Sequence, residues 1–350
     1  MDRVGGCLLN DNIIKEVRKE NCFDFLRYFF AISLIIAHFC TLTETDQFWF
    51  ISGTNRVKAF FTITGFLVTY SYLRRNGDIV SYARKRFLRI VPAYVLCVFF
   101  CLVLGMCVST SGTADFVTDF QTIKYTVCNL LMMNWLEPEL PNTFQGNFMP
   151  QMNGSLWSMK QEVIFYVLVP LMLYVVSRTR RVAMAGILAA CVLAYSFVNI
   201  QTQYFMYFIS GTTLLLFFDE YVKHIKWCLP LSVVLYLPIN FIEIPLLTPF
   251  CASIELITFP MLLIGIAYRC RPLFFLRKID NITYGLYLYH FPVIQTLIHY
   301  GVVGHSKGLA FFLTLSITFV LASVSWFCVE KRMMRIHRCS SLTTESLQRG

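Results

Sequence analysis

Residues 23–39 read FDFLRYFFAISLIIAHF and form the first of several apolar stretches that decide the fold. Asp24, Arg27 and His38 are the ionisable side chains in this stretch, and apolar residues continue it to about residue 42. A helix needs about 20 mostly apolar residues to cross the hydrocarbon core of a bilayer. Residues 24–42 therefore predict a transmembrane helix.

Further stretches along the chain share this length and apolar character. With the first they are expected near residues 24–42, 57–73, 88–108, 158–177, 182–199, 204–218, 227–243, 250–268, 283–301 and 308–328. Continuous runs favour helices over the alternating segments of about ten residues that build a membrane barrel. The sequence thus predicts an all-α, polytopic helical membrane protein with about ten transmembrane helices.

Composition supports this class. Of the 350 residues, 57% are hydrophobic and 14% are charged, and the mean hydropathy is +0.60. A soluble domain has about 25% charged residues, so soluble, disordered and disulfide-scaffold classes are excluded. The net charge of +10 comes mainly from Lys and Arg residues that lie in every second loop between the predicted helices. Loops enriched in Lys and Arg face the cytoplasm. Both termini are therefore expected in the cytoplasm, with anionic lipid rather than nucleic acid as the partner of the basic residues.

The chain divides into three predicted parts. Residues 1–22 form a cytoplasmic N-terminal segment without a cleavable signal peptide, residues 23–335 the membrane domain, and residues 336–350 a cytoplasmic tail. Within the membrane domain, residues 109–157 form a long loop on the outer side that could cover an opening of the helix bundle. Gly65 and Gly211 are expected to allow close approach of helices.

Thirteen cysteines are present without any CxxC pair, so they are interpreted as packing residues and no metal site is expected.

Ionisable side chains within apolar stretches are costly and mark candidate sites. They are Arg27, His38, Glu162 and His290, with Glu255 as a weaker candidate. Arg27 and His38 are separated by eleven residues, which is about 16 Å along a helix and about 20° from full alignment on one face. Structural roles also remain open, because Arg27 can reach lipid phosphates and each histidine can make a hydrogen bond in the core.

Five motifs follow one another in a recognisable order. They are FDFLRYFFAISLIIAHF (23–39), FFTITGFLVTYSYLRR (60–75), RKRFLRIVPAY (84–94), SLWSMKQEVIFYVLVPLML (155–173) and ITYGLYLYHFPV (282–293). In this order and spacing they resemble the acyltransferase-3 family of integral membrane acyltransferases. One departure stands at Val163, where the family has the second of two adjacent carboxylates.

The resemblance implies a multi-pass enzyme of the bacterial inner membrane, a membrane-bound O-acyltransferase. It would move an acyl group, commonly acetyl, from cytoplasmic acyl-CoA to a hydroxyl of an envelope sugar or lipid-linked saccharide. Acetyl-CoA would be a donor substrate, with no tightly bound cofactor and no fused periplasmic hydrolase-like domain. Because its unperturbed pKa lies near 6.5, a histidine can take the proton of the attacking hydroxyl, and His38 is the predicted general base.

The remaining site residues are assigned by chemistry and position. Glu162 is the second predicted catalytic residue, orienting the imidazole or binding the acceptor, unless it only pairs with Lys160. Guanidinium groups suit the phosphates of coenzyme A, and the donor is expected to thread a polar tunnel to His38. The predicted donor-binding residues are Arg27, Arg86 and Arg89, and the predicted substrate-binding residues are His290, Tyr287 and Trp157.

Two other functions compete with acyl transfer. A transporter or flippase of an envelope polysaccharide precursor would use the same basic residues at the cytoplasmic side of the helices. It would also need matched repeats or broken helices, which the sequence does not show. A scaffold in a polysaccharide assembly complex would leave Arg27 and His38 without a role.

Overall fold

Helices account for nearly all regular structure in the described part of the chain. The structure is a computed structural model that describes residues 11–46, 53–74, 78–175, 180–195, 198–239, 248–270, 273, 280 and 282–335. No strand occurs in these ranges. The helices are α1 (Asp11–Val17), α2 (Phe23–Leu42), α3 (Gly53–Leu73), α4 (Ile79–Val108), α5 (Thr113–Thr118), α6 (Phe120–Leu130), α7 (Met159–Val175), α8 (Arg180–Ala194), α9 (Ile200–Leu216), α10 (Phe218–Ile239), α11 (Thr248–Arg269), α12 (Thr283–His299), α13 (Val302–His305) and α14 (Lys307–Ser325).

Each of the predicted apolar stretches coincides with one of these helices, which confirms the all-α class. Among the described residues, the segments that are long and apolar enough to cross a bilayer are Phe23–Leu42, Ile79–Val108, Gly154–Tyr174, Phe218–Ile239 and Lys307–Arg335. The protein is thus a helical membrane protein, while the count of ten crossings and the side of each terminus stay predictions. The predicted tail at 336–350 and residues 1–10 of the N-terminal segment lie outside the described residues.

Two helices begin earlier than hydropathy predicts. Helix α4 starts at Ile79 rather than near residue 88, because the Asp78 carboxylate accepts hydrogen bonds from the backbone N–H of Val80 and Ser81 at 3.1 and 3.2 Å. Helix α10 starts at Phe218 rather than near residue 227, with two acidic residues in its first turn. An acidic cap or an acidic first turn stabilises a helix N-terminus without raising hydropathy, so both helices extend further towards the N-terminus than the apolar stretches at 88–108 and 227–243.

The contacts divide the chain into two compact units. Unit 1 comprises Met1–Phe30, Ser52–Tyr82 and Phe165–Ile279, and unit 2 comprises Ala31–Ile51, Ala83–Ile164 and Asp280–Gly350.

In unit 1, helices α3 and α9 approach each other at two glycines. A methyl group on Gly65 would collide with the carbonyl of Phe208, and one on Gly211 would collide with the carbonyl of Thr62. The prediction that both glycines allow close helix approach is therefore confirmed. Small residues at such crossings let backbones pack closely inside a membrane.

Unit 1 also contains a buried ion pair. The Lys58 ammonium lies 2.8 and 2.9 Å from the two carboxylate oxygens of Glu255, and both residues are buried. Arg56 and Lys58 both belong to the first turns of α3, and Arg56 is fully buried. Glu255, a weaker site candidate in the sequence, thus has a buried ion-pair partner within unit 1.

In unit 2, α12 and α14 cross at Gly285, where an added methyl group would lie 2.8 Å from the Ala322 side chain. The loop predicted at 109–157 contains α5, α6 and a 3-10 turn at Asn134–Leu136, and it leads into a second 3-10 turn at Gly154–Ser158. This second turn packs on α12 and positions the candidate site.

Candidate active site

Two predicted site residues from distant parts of the chain form a direct pair. His38 on α2 and His290 on α12 lie with His38 Nδ1 and His290 Nε2 2.7 Å apart. The ring planes are inclined by only 19°, with centroids 4.9 Å apart. His290 is fully buried, whereas His38 keeps part of its surface accessible. The more accessible imidazole is thus held by the buried one.

The hydrogen bonds of His290 determine which nitrogen carries each proton. His290 Nδ1 lies 3.0 Å from the carbonyl oxygen of Leu286, one turn earlier in α12. A carbonyl oxygen only accepts hydrogen bonds, so Nδ1 of His290 carries its proton and Nε2 carries the lone pair. Nε2 then accepts from Nδ1–H of His38, which leaves the lone pair of neutral His38 on its own Nε2. In this tautomer His38 can act as a base.

An aromatic ring and a glycine complete this side of the site. The Phe291 ring meets the His38 ring edge to face, at 5.6 Å between centroids and 81° between planes. A methyl group on Gly154 would lie 2.7 Å from the Phe291 ring. Only glycine at residue 154 therefore allows the chain to pass this close to the ring that contacts His38.

Asn153 fastens the 3-10 turn to the helix of His290. Its Nδ2 donates to the carbonyl oxygen of Leu288 at 2.8 Å, and its Oδ1 accepts from the Ser155 hydroxyl at 2.6 Å. Asn153 is fully buried, so both hydrogen bonds form away from water, where an unmade bond would be costly.

Gln295 provides a second attachment one turn beyond the histidine. Its side-chain oxygen accepts from Asn147 Nδ2 at 2.8 Å, and its Nε2 donates to the carbonyl oxygens of Gln151 and Met149. Together, Asn153 and Gln295 hold the segment between residues 147 and 155 against α12 on both sides of His290.

Tyr287, Trp157 and Glu162 lie around the same turn. The Tyr287 hydroxyl donates to the carbonyl of Ser155. The Ser158 hydroxyl lies 2.6 Å from the Tyr287 hydroxyl. Trp157 is part of this turn, and Glu162 follows in the first turn of α7, close enough to interact electrostatically with Tyr287. The ring of Tyr287 lies 6.1 Å from that of His290. The predicted substrate-binding residues therefore share one region with the histidine pair.

The basic residues predicted for the donor lie at two places. Arg86 and Arg89 are three residues apart on α4, in unit 2, and Arg89 interacts electrostatically with the buried Glu330. Arg27 lies in unit 1, where its Nη1 is 3.2 Å from Asp24 Oδ1 and its side chain is 25% exposed. The continuous helix α2 keeps Arg27 and His38 about 16 Å apart along its axis, and the tunnel stays a prediction.

Three residues of the site were missed by sequence reasoning. Asn153 and Gln295 attach the turn to α12, and Glu330 neighbours Arg89 at the end of a π-helical turn, Trp326–Glu330. Gln295 and Glu330 are polar residues inside apolar helices, a signal that could have singled them out. His290 makes a hydrogen bond with His38, and the orienting role of Glu162 stays a prediction.

The sequence is similar to a known protein family and to several known proteins. A family profile described as an acyltransferase domain matches residues 20–328. Nodulation protein 10 of Rhizobium leguminosarum bv. viciae is 28% identical over 352 residues, which cover 91% of this chain and 94% of that protein. An O-acetyl transferase of Shigella phage Sf6 is 26% identical over 156 residues, which cover 43% of this chain and 45% of that protein.

A third relative extends beyond the length of this chain. It is a Staphylococcus aureus (strain MSSA476) protein provisionally named as an O-acetyltransferase, 23% identical over 370 residues that cover 90% of this chain and 57% of that protein. No solved structure matches the chain significantly.

Proposed function

This chain belongs to the acyltransferase-3 family, and on that premise we propose that it transfers an acetyl group from acetyl-CoA to a hydroxyl of an envelope sugar or lipid-linked saccharide. The family match confirms the resemblance that the five motifs indicated, and acyl transfer to a hydroxyl agrees with the names of two relatives. The observation that carries the proposal is the hydrogen bond between His38 and His290.

The proposed chemistry begins at the Nε2 atom of His38. This nitrogen takes the proton of the acceptor hydroxyl as the hydroxyl oxygen attacks the thioester carbonyl carbon. The carbon–sulfur bond then breaks, and the departing thiolate takes the proton back from the imidazolium. The products are an ester and the free thiol of coenzyme A. General base catalysis of this kind contributes about 10²- to 10⁴-fold.

His290 is proposed to position the base rather than to exchange protons with the substrate. Its Nδ1–H is engaged by the Leu286 carbonyl and its Nε2 by His38, so it holds the reacting imidazole in one tautomer and one orientation. A base held in place needs no reorganisation when the hydroxyl reacts. The aspartate that orients the histidine of a serine protease has a comparable role.

Arginine side chains are proposed to bind the phosphates of the donor. Arg86 and Arg89 occupy adjacent positions on one helical turn, and Glu330 interacts electrostatically with Arg89. Arg27 is the third proposed contact, and it would exchange its partner Asp24 for phosphate. A guanidinium suits this exchange because it binds phosphate through two parallel hydrogen bonds.

The acceptor is proposed to bind on the side of the 3-10 turn. Tyr287 and Ser158 present hydroxyl groups there, and Trp157 and Glu162 belong to the same region. Hydroxyls and a carboxylate can accept and donate the hydrogen bonds that a sugar offers. We place the protein in the bacterial inner membrane, where an envelope saccharide and cytoplasmic acyl-CoA both reach the bilayer. The transporter alternative gains no support from the relatives.

The proposal is tested with purified protein in proteoliposomes. The donor is acetyl-CoA with a labelled acetyl group, and the acceptor is a saccharide extract from cells that lack the gene. We expect an alkali-labile labelled ester and free coenzyme A thiol, both dependent on the acceptor, and neither with the His38→Gln variant. Movement of saccharide across the bilayer without ester formation would contradict acyl transfer and favour a transporter.

A further inference from the structure

Helix α6 carries large apolar side chains on the face that points away from the protein. Phe120 is 77% exposed, Ile123 51% and Val127 52%. Leu130 and Leu131 at the end of the helix are also exposed. We call these five residues the apolar stripe. They recur at spacings of three and four residues, so they line one side of the helix.

The opposite side of α6 is polar and buried. Thr122, Tyr125 and Asn129 are buried in unit 2. Asn129 donates to the carbonyl oxygens of Tyr125 and Glu137 at 2.9 and 3.0 Å, and its own side-chain oxygen accepts from Asn134 at 2.9 Å. The pattern is therefore the inverse of a helix on the surface of a soluble protein, which buries its apolar side.

Helical geometry separates the two sides cleanly. At about 100° per residue, the apolar stripe spans roughly 100° of the helix circumference, and the buried polar residues lie near its opposite side. None of the five stripe residues is charged. An apolar surface of this width suits a medium that is itself apolar.

Charged and aromatic residues border the apolar stripe. Lys124 lies at its edge and pairs with Glu137 at 2.6 Å. Trp135, 58% exposed, has the Lys160 ammonium 4.9 Å from the centre of its ring. Tryptophan and lysine side chains are typical of the interface between lipid headgroups and hydrocarbon.

The position of α6 in the chain agrees with a place at the membrane surface. Helix α4 has 30 residues, about 45 Å, with the basic residues Arg84–Arg89 at its start and α5 and α6 following its other end. The second half of α4 exposes Phe99 and Val103 at 51% and 57%, as a membrane-crossing helix does towards lipid. In chain order, the apolar stripe therefore comes after the end of α4 that is remote from its basic residues.

We propose that α6 lies in the plane of the bilayer interface, with its apolar stripe inserted among the acyl chains of membrane phospholipids. The segment predicted as an outer loop is then part of the lipid-facing surface of unit 2. The stripe offers no charged or hydrogen-bonding group that would set the register of a protein partner, so lipid is the occupant. This inference does not depend on the proposed acyl transfer.

Photo-crosslinking in lipid nanodiscs tests the proposal. The photoreactive residue p-benzoylphenylalanine replaces Phe120 or Val127, with Phe99 on α4 as the lipid-facing control and Gln145, exposed in the same segment, as the polar control. Mass spectrometry after illumination should find phospholipid adducts at Phe120 and Val127 with a yield like that at Phe99, and several-fold above that at Gln145. Adducts with a second copy of the chain, or yields as low as at Gln145, would overturn the proposal.

A second measurement is used if the photoreactive residue disturbs folding. In the Val127→Trp variant, difference fluorescence against the wild type should be quenched by phospholipids with brominated acyl chains and not by aqueous iodide. The Gln145→Trp variant should show the reverse. Quenching of the residue 127 signal by iodide alone would place α6 in water and refute its insertion.

Discussion

Replacing His290 by Leu should slow acyl transfer although the residue does not touch the reacting atoms in the proposed mechanism. Leu cannot accept the hydrogen bond from Nδ1–H of His38, which is 2.7 Å long in the structure. The His38 ring can then rotate or change tautomer, and its lone pair no longer points reliably towards the acceptor hydroxyl. We expect kcat to fall while the apparent KM for acetyl-CoA stays unchanged.

The size of this effect follows from the environment of the pair. A neutral hydrogen bond contributes about 0.5–1.5 kcal/mol net, and an orphaned buried donor costs about 1–3 kcal/mol. His290 is fully buried and His38 is mostly so, so a loss of about 1–3 kcal/mol is expected. At 1.36 kcal/mol for each tenfold change in rate, kcat should fall about 5- to 150-fold.

The assay is release of coenzyme A thiol in proteoliposomes at saturating donor and acceptor. His290→Gln is the matched control, because its side-chain oxygen can take the place of Nε2 and accept from His38. This variant should keep kcat within about tenfold of the wild type. Wild-type kcat in His290→Leu, or equal loss in the Leu and Gln variants at wild-type melting temperatures, would refute the positioning role.

The other predictions concern the donor, the turn and the packing of unit 1. Arg27→Lys should raise the KM for acetyl-CoA about tenfold or more with little change in kcat. Asp24→Asn removes the ion pair but keeps the cation, so it should not raise this KM. An equal rise of KM in both variants would indicate that Arg27 has only a structural role. Gly154→Ala should lower the stability by about 1–3 kcal/mol and reduce kcat, because the added methyl group would push the Phe291 ring that contacts His38. Unchanged kinetics and an unchanged melting temperature would contradict this. Lys58→Met should destabilise the protein by about 3–5 kcal/mol in denaturation measurements, while the double variant with Glu255→Leu should recover most of that loss; a double variant as unstable as the single one would contradict the pairing.

The helices could be predicted from the sequence because a bilayer imposes a strict length and polarity on any segment that crosses it. Their starts were harder to predict, since the hydropathy signal is weakest where a helix begins with charged residues. Asp78 caps α4 well before the apolar core of that helix begins. Hydropathy records the apolar core of a helix, whereas hydrogen bonds at its N-terminus determine where it starts.

The candidate site residues can be singled out one by one in the sequence, whereas their arrangement in space cannot. His38 and His290 stand out because each is an ionisable residue in an apolar helix, yet 252 positions separate them in the chain. Only the packing of α2 and α12 in unit 2 brings the two rings together. Asn153 could not be predicted because it is an uncharged residue in a loop. Its structural role depends on the hydrogen bond that it donates to the carbonyl of Leu288 on α12.

For Glu255, the structure supplies an ion-pair partner that the sequence does not identify. Glu255 was a candidate site residue because a carboxylate inside a membrane segment requires a partner. That partner is Lys58 near the start of α3, and the pair is buried inside unit 1. A pattern of single residues cannot distinguish a functional charge from one that a distant helix neutralises.

The most direct test of the central claim is a single-turnover measurement with the His38→Gln variant. Enzyme in excess over labelled acetyl-CoA is mixed with acceptor saccharide, and the ester formed is followed by mass spectrometry. Ester formation should be at least about 10²-fold slower than in the wild type, while the amount of protein in the membrane and the binding of acetyl-CoA should be unchanged. Ester formation at the wild-type rate would show that His38 is not the base.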